Sequence, residues 1–235
     1  PINATLASGA RAVYSGLFNS VAITDLSIGQ KYYAKVFTRK GTKWSIGESF
    51  DFLLANSPSL IISQYYEGQS NDKWIEISNV GDTAINLGNF YLARWSNTSQ
   101  PIASASSSNQ LSGILAAGAS ILMQHSSASN PLYASGTSGG ALAFNGDDAL
   151  AICSDSPDWE NRIDCIYSIG YWGENTSFFR KPWVLQPQRN MAVLDGSGEW
   201  VEVSNTIVDS AAIGTSARLG EHQSGLPTGD FTFNG

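Results

Sequence analysis

The 235 residues predict an all-β fold of two antiparallel layers, and three observations predict it. Apolar and polar residues alternate with period 2 along most of the chain, while few segments show the i, i+3, i+4 spacing of a buried helix face. The alternating runs are short and are divided by Gly, Asn, Asp and Ser, the residues that tight turns require. Charged residues are only 14% of the chain, against about 25% in an average soluble domain, and small polar residues take their place. Such residues suit turns and the solvent side of strands better than helix surfaces.

The expected strands fall at residues 12–14, 20–24, 31–38, 48–52, 60–65, 73–78, 90–94, 120–124, 148–153 and 163–167. In the third, Tyr32, Ala34 and Val36 fall on one side and Tyr33 and Lys35 on the other. In the sixth, Ile75 and Ile77 share one face, leaving Trp74 and Glu76 on the outer one. The small, polar stretch around Pro58 sets a boundary between residues 1–55 and 56–235. Residues 99–109 (SQPIASASSSN) read as a long surface loop within the second block, because strand patterning resumes beyond them.

Net charge is -7, and the densest basic group is Arg39, Lys40 and Lys43, followed by Arg180 with Lys181. Both read as solvated turns, so no basic stripe offers itself to nucleic-acid phosphates. No apolar run approaches the roughly 18 residues that span a bilayer. The sequence opens at Pro1 without a basic and apolar leader, so an exported form is expected to have lost one.

Residues 25–37 (DLSIGQKYYAKVF) resemble the junction of the fifth and sixth strands of a fibronectin type III-like domain. The resemblance implies that residues 1–55 are the later part of such a sandwich. Its first strands would then precede Pro1 or come from another chain.

Residues 60–79 (LIISQYYEGQSNDKWIEISN) and 81–92 (GDTAINLGNFYL) resemble the opening of a lamin tail domain of the bacterial extracellular type. Residues 115–122 (LAAGASIL), 144–150 (FNGDDAL) and 164–170 (DCIYSIG) continue the resemblance in order. Residues 179–182, 199–200 and 219–222 suit its last elements. Ser78 departs from the pattern, standing where an aromatic is usual. The resemblance implies an immunoglobulin-like antiparallel β-sandwich, preceded by the partial fibronectin-like one, and a binding or tethering role.

Residues 136–140 (GTSGG) match the nucleophile elbow in letters, but that motif needs a strand-to-helix turn, and no helix is expected here. His125 and His222 are far apart, and no zinc-ligand spacing occurs. Glu67 with Asp72, or Asp147 with Asp148, could form an acid–base pair, yet both pairs sit in turns where acids are common. No catalytic residue is therefore assigned. Asp155, Asp158, Glu160 and Asp164 crowd one loop and are the candidate ligands for calcium, a hard cation that favours clustered carboxylates. The alternative is a solvated acidic loop. Cys153 and Cys165 lie in strands joined by a short loop, and an export-like composition favours a disulfide over two buried thiols. Of the loop aromatics Trp95, Trp159, Tyr171, Trp172 and Trp183, most are expected to cover the ends of the core.

The expected function is a non-catalytic binding, tethering or structural module of an extracellular or cell-surface protein, with protein partners or self-assembly and without a required cofactor. The alternatives are a subunit of an extracellular filament completed by strand exchange, and an accessory region of a secreted nuclease or other hydrolase.

Overall fold

The computed structural model describes residues 31–53, 59–97, 103–129, 137–189, 198–215 and 217–222. The strands expected at residues 12–14 and 20–24 lie outside the described residues. The chain divides into two compact units, Pro1–Ser57 and Pro58–Gly235.

In the first unit, β1 (Lys31–Val36) pairs antiparallel with β4 (Glu48–Leu53). Between them β2 (Arg39–Lys40) and β3 (Lys43–Trp44) form a tight hairpin, with the Arg39 guanidinium 5.6 Å from the Trp44 ring centre. Arg39, Lys40 and Lys43 are solvated, as their turn context predicts.

The second unit runs β5 (Leu60–Glu67), β6 (Lys73–Asn79), β7 (Ile85–Asn86), β8 (Phe90–Trp95), β9 (Ser107–Gln110), β10 (Ile114–Leu115), β11 (Ser120–Gln124) and β12 (Thr137–Ser138). It continues with β13 (Ala149–Ser154), β14 (Arg162–Ile166), β15 (Ser177–Arg180), β16 (Trp200–Val203) and the short helix α1 (Asn205–Ser210). A large sheet has the order β12-β11-β6-β5-β15-β16, and a smaller one the order β14-β13-β8-β9. Except for the parallel β11–β12 pair, both sheets are antiparallel. Leu60, Ile62, Tyr65, Ile75 and Ile77 from the large sheet meet Leu92, Leu150, Ile152 and Ile166 from the small one in a single core. The architecture is the expected immunoglobulin-like β-sandwich.

The outer face of the large sheet is also covered. Tyr66, Trp74, Phe179 and Val203 pack there against Val208 of α1 and Leu219. That second layer explains why all eight β5 residues are buried, the polar Ser63, Gln64 and Glu67 included. Trp74 and Glu76 do share the outer face, but that face is buried and not solvated. Ser63 is an extra residue in β5, because Ile62 opposes Ile77 and Gln64 opposes Glu76. Such a bulge sets two neighbouring side chains against one partner.

Part of the expected 99–109 loop is a strand. β9 pairs with β8, and its Ser and Asn side chains alternate between half-buried and exposed at the sheet edge. Polar edge strands lack the apolar alternation by which strands are recognised. Arg180 is no solvated turn residue either: it lies within β15 and is fully buried.

At Gly146 an added Cβ would lie 2.1 Å from the backbone nitrogen of Glu174, so only glycine lets these two loops touch. Gly173 N donates to Gly146 O across the same contact, at 3.0 Å.

Candidate functional site

A cavity of about 500 Å³ opens at the end of the large sheet, lined by Tyr66, Gln69, Asp72, Asn175, Thr206 and Asp209 among others. The end of β5 presents Tyr66, and the β5–β6 turn presents Gln69 and Asp72. That turn is closed by Gly68 N donating to Asp72 O (2.7 Å) and Asp72 N donating to Gln69 O (3.1 Å). Helix α1 presents Thr206 and Asp209, and polar contacts fix it in place. Asn205 Nδ2 donates to Glu67 O, and Ser177 Oγ donates to Asn205 Oδ1, both at 2.7 Å. Tyr66 OH donates to the two Asp209 carboxylate oxygens at 3.0 and 3.2 Å. Asp72 Oδ1 accepts from Ser129 N at 2.7 Å. The lining offers amides, a hydroxyl and carboxylates, a set suited to hydrogen-bonding a polar ligand.

Deeper in the sandwich the charged groups are spent on cohesion. The Arg180 guanidinium donates to Asp164 (3.2 and 3.3 Å) and to Glu199 (3.0 and 3.3 Å), and lies 4.7 Å from the Trp200 ring centre. Asp164 also accepts from Ile62 N and Gln188 N, both at 2.7 Å, so one carboxylate ties β14 to β5. Burial pushes the Asp164 carboxyl above its ordinary pKa, with Arg180 and the two amides pulling the other way. Asp148 accepts from Arg94 (3.0 Å), Asn97 N (2.7 Å) and Asn145 N (3.0 Å). Glu67 accepts from Lys73 at 2.6 Å, and burial still raises its pKa.

The candidate pairs of acids are thereby separated in role. Glu67 turns inward to Lys73 and Tyr65 while Asp72 lines the cleft; Asp148 is bound to Arg94 while Asp147 faces Asn145. The four candidate calcium ligands do not converge. Asp164 is inside the sandwich on Arg180, and Asp158 is held by the Ser104 and Ser156 hydroxyls, which lower its pKa. Asp155 and Glu160 are exposed. Among the described residues, no group of three or more His, Cys, Asp and Glu side chains is gathered to hold a metal ion. The alternation of β14 explains this, since it turns Asp164 toward β5 and away from the loop that precedes it.

Cys153 and Cys165 are both buried, and the structure holds them as free thiols. A bulge after Ile152 sets Cys153 opposite Arg162 and Ala151 opposite Cys165, so the two sulfurs sit diagonally on one face. The Cys165 thiol faces the carbonyl oxygens of Gln188 and Arg189 at 3.6 and 3.4 Å, and burial pushes the Cys153 thiol up to about 12. Trp95 and Trp159 are buried with Ala93, Ala151, Cys153 and Cys165 on the outer face of the small sheet, and Trp172 is buried in the main core, whereas Tyr171 is exposed. In the 136–140 stretch, Ser138 ends β12, and the chain then enters a single 3-10 turn, Gly140–Leu142, in place of the helix a nucleophile elbow requires. His125 Nδ1 accepts from Ser127 N, and His222 lies over β6, where its backbone N–H donates to Glu76.

Residues 54–169 match the family model of the Lamin Tail Domain. No curated protein matches the chain. The lamin tail match covers β5 through β14, which includes the whole small sheet. The resemblance read in the sequence runs on to residue 222, and β15 joins the same sandwich by pairing with β5. The cleft straddles this limit. Its β5–β6 turn lies inside the lamin tail match, and Asn175 and α1 lie beyond it.

Proposed function

We propose that the chain is a non-catalytic binding or tethering module of a secreted or cell-surface bacterial protein, and that the cleft between the β5–β6 turn and α1 meets its ligand. The observation that carries this reading is the division of polar groups. Glu76, Asp148 and Asp164 are buried and bonded to hydroxyls, amides or cations that join strands. Gln69, Asn175 and Thr206 instead line the cleft and face solvent. The lamin tail match and a surface poor in charge support the same reading.

Labelled protein titrated onto isolated bacterial cell envelopes is expected to adsorb saturably. The double variant Gln69→Ala/Thr206→Ala is expected to weaken adsorption about tenfold, through two lost hydrogen bonds of roughly 0.5–1.5 kcal/mol each. Unchanged adsorption would remove the cleft from recognition. Turnover of ester, phosphodiester or glycoside substrates by the purified chain would end the non-catalytic reading.

A second reading, a subunit of a surface assembly completed by strand exchange, has its own observation. The described hairpin of the first unit exposes Tyr33 (79%), Ile46 (90%) and Phe50 (51%), and exposed apolar side chains on strands favour association. Light scattering is expected to show mass rising with concentration, and Tyr33→Ser/Ile46→Ser is expected to abolish the rise. A constant monomer mass at high concentration would count against this reading.

A further inference from the structure

We propose that the cleft and Tyr171 together form one site for a neutral glycan chain, with vicinal hydroxyls bonded in the cleft and a sugar face stacked on the Tyr171 ring. This names the ligand class of the cleft and rests on the binding role proposed above.

One loop carries both parts. Residues 167–176 connect β14 to β15, and Tyr171 and Asn175 stand two positions to either side of Gly173. Gly173 is pinned twice: its N–H donates to Gly146 O at 3.0 Å, and its carbonyl accepts from Tyr65 OH at 3.2 Å. Trp172 fixes the loop from the inside, since its ring is buried in the core with its centre 5.0 Å from Tyr65 and 5.7 Å from Phe178. At the far end Thr176 O accepts from Glu67 N at 3.0 Å, and Thr176 Oγ1 donates to Glu202 Oε1 at 3.2 Å. Asn175 is thereby delivered to the cleft, and Tyr171 is left with 71% of its surface exposed. A ring held outward on an anchored loop loses little conformational freedom when a ligand covers it. Four residues span at most about 14 Å, a gap that an oligosaccharide bridges.

The chemistry of the lining selects the ligand. Gln69, Asn175 and Thr206 are exposed and neutral, two planar amides that both donate and accept and one hydroxyl. Adjacent hydroxyls on a sugar ring donate and accept in the same fork. Asp72 and Asp209 add acceptors, and among the described residues no lysine or arginine lines the cleft. Glu174, beside Asn175, is exposed as well. Phosphate-bearing polymers and anionic lipid surfaces therefore meet repulsion here. A docked peptide calls for apolar pockets, and no Leu, Ile, Val, Met or Phe is in the lining. An amine or a metal ion would be drawn by the carboxylates, but these are already engaged. Tyr66 OH donates to both Asp209 oxygens, and Ser129 N donates to Asp72. A neutral, hydroxyl-rich ligand fits what is left, and Tyr171 supplies the apolar face that the polar cleft lacks. The C–H side of a sugar ring packs on the negative face of an aromatic one.

Native electrophoresis of the whole chain through gels holding β-glucan, galactomannan, xylan or dextran tests the site. At least one of these neutral polymers is expected to retard the protein. Tyr171→Ala is expected to weaken that interaction about tenfold, whereas Tyr171→Phe, which keeps the ring, stays within about twofold. Because Tyr171 is exposed, neither change is expected to move the urea midpoint. Retardation by none of the four polymers, or full retardation of Tyr171→Ala, would overturn the glycan site.

The envelope adsorption measurement separates this inference from the binding role. Periodate cleaves the bond between carbons that carry vicinal hydroxyls. Envelopes oxidised with periodate are expected to lose most of their capacity for the protein, and protease-treated envelopes to keep it. Adsorption that survives periodate and falls with protease would overturn the glycan and leave the binding module standing. Retardation in the gels without adsorption to untreated envelopes would support the glycan and overturn the cell-surface setting.

Discussion

Arg180→Met is expected to destabilise the sandwich by about 3–5 kcal/mol at neutral pH, the usual cost of removing one partner from a buried ion pair. Arg180 is fully buried, its guanidinium lies against Trp200, and among the described residues it is the cation that Asp164 contacts. A methionine fills much of the volume but leaves Asp164 with two backbone amides and no positive charge. Burial already raises the Asp164 carboxyl against the pull of Arg180. Without the arginine the carboxyl rises further and takes up a proton on folding. A group raised on folding costs stability as pH rises, so the deficit of Arg180→Met should shrink as pH falls through the carboxylate range. Urea midpoints at pH 7.5 and pH 5 measure this. The double variant Arg180→Met/Asp164→Leu is expected to lose much less than the sum of the single losses, because a buried pair can be replaced by apolar groups at small cost. Strict additivity, or a deficit independent of pH, would show that Arg180 acts by packing alone.

Arg180 also marks where the sequence stops being legible. Beside Lys181 it reads as a solvated basic pair, and nothing local reveals that the four-residue β15 carries it into the interior. Its two carboxylate partners are 16 and 19 positions away, outside its own strand. By contrast, β6 and β11 are legible almost to the residue, because Ile75, Ile77 and Met123 recur at every second position toward one core. β9 is missed because Ser and Asn at a sheet edge carry no apolar signal. α1 is missed because six residues are too few for helical periodicity to emerge. The cleft is invisible for a different reason. Gln69, Asn175 and Thr206 are adjacent only because β5, β15 and β16 are neighbours in the sheet, and no spacing along the chain encodes that order. In the acidic loop Asp155 and Glu160 are exposed while Asp158 is held by the Ser104 and Ser156 hydroxyls, so closeness in sequence does not by itself say where these side chains go.

The second large effect is expected at Tyr65, where the core is densest in aromatic rings. Its ring centre lies 4.9 Å from Phe144, 5.0 Å from Trp172 and 6.2 Å from Phe178, all in tilted arrangements. Phe144 and Trp172 belong to the two loops that Gly146 and Gly173 bring into contact, so the ring supports both sheets and the loop junction. Tyr65→Ala is expected to cost about 3–5 kcal/mol, the range for truncating a buried aromatic without full collapse of the cavity. The hydroxyl is a separate contribution. It donates to Gly173 O at 3.2 Å and to Glu67 Oε2 at 3.3 Å, and burial together with Glu67 holds its pKa well above 10.0, so it remains a donor throughout the accessible range. Tyr65→Phe keeps the ring and leaves those oxygens without the donor, for an expected loss of about 1–2 kcal/mol. The ratio of the two losses is the informative quantity. Chemical unfolding of both variants should place most of the Tyr65 contribution in the ring. If Tyr65→Phe lost as much as Tyr65→Ala, the loop junction would be held by the hydroxyl, and the aromatic cluster would be bystander packing.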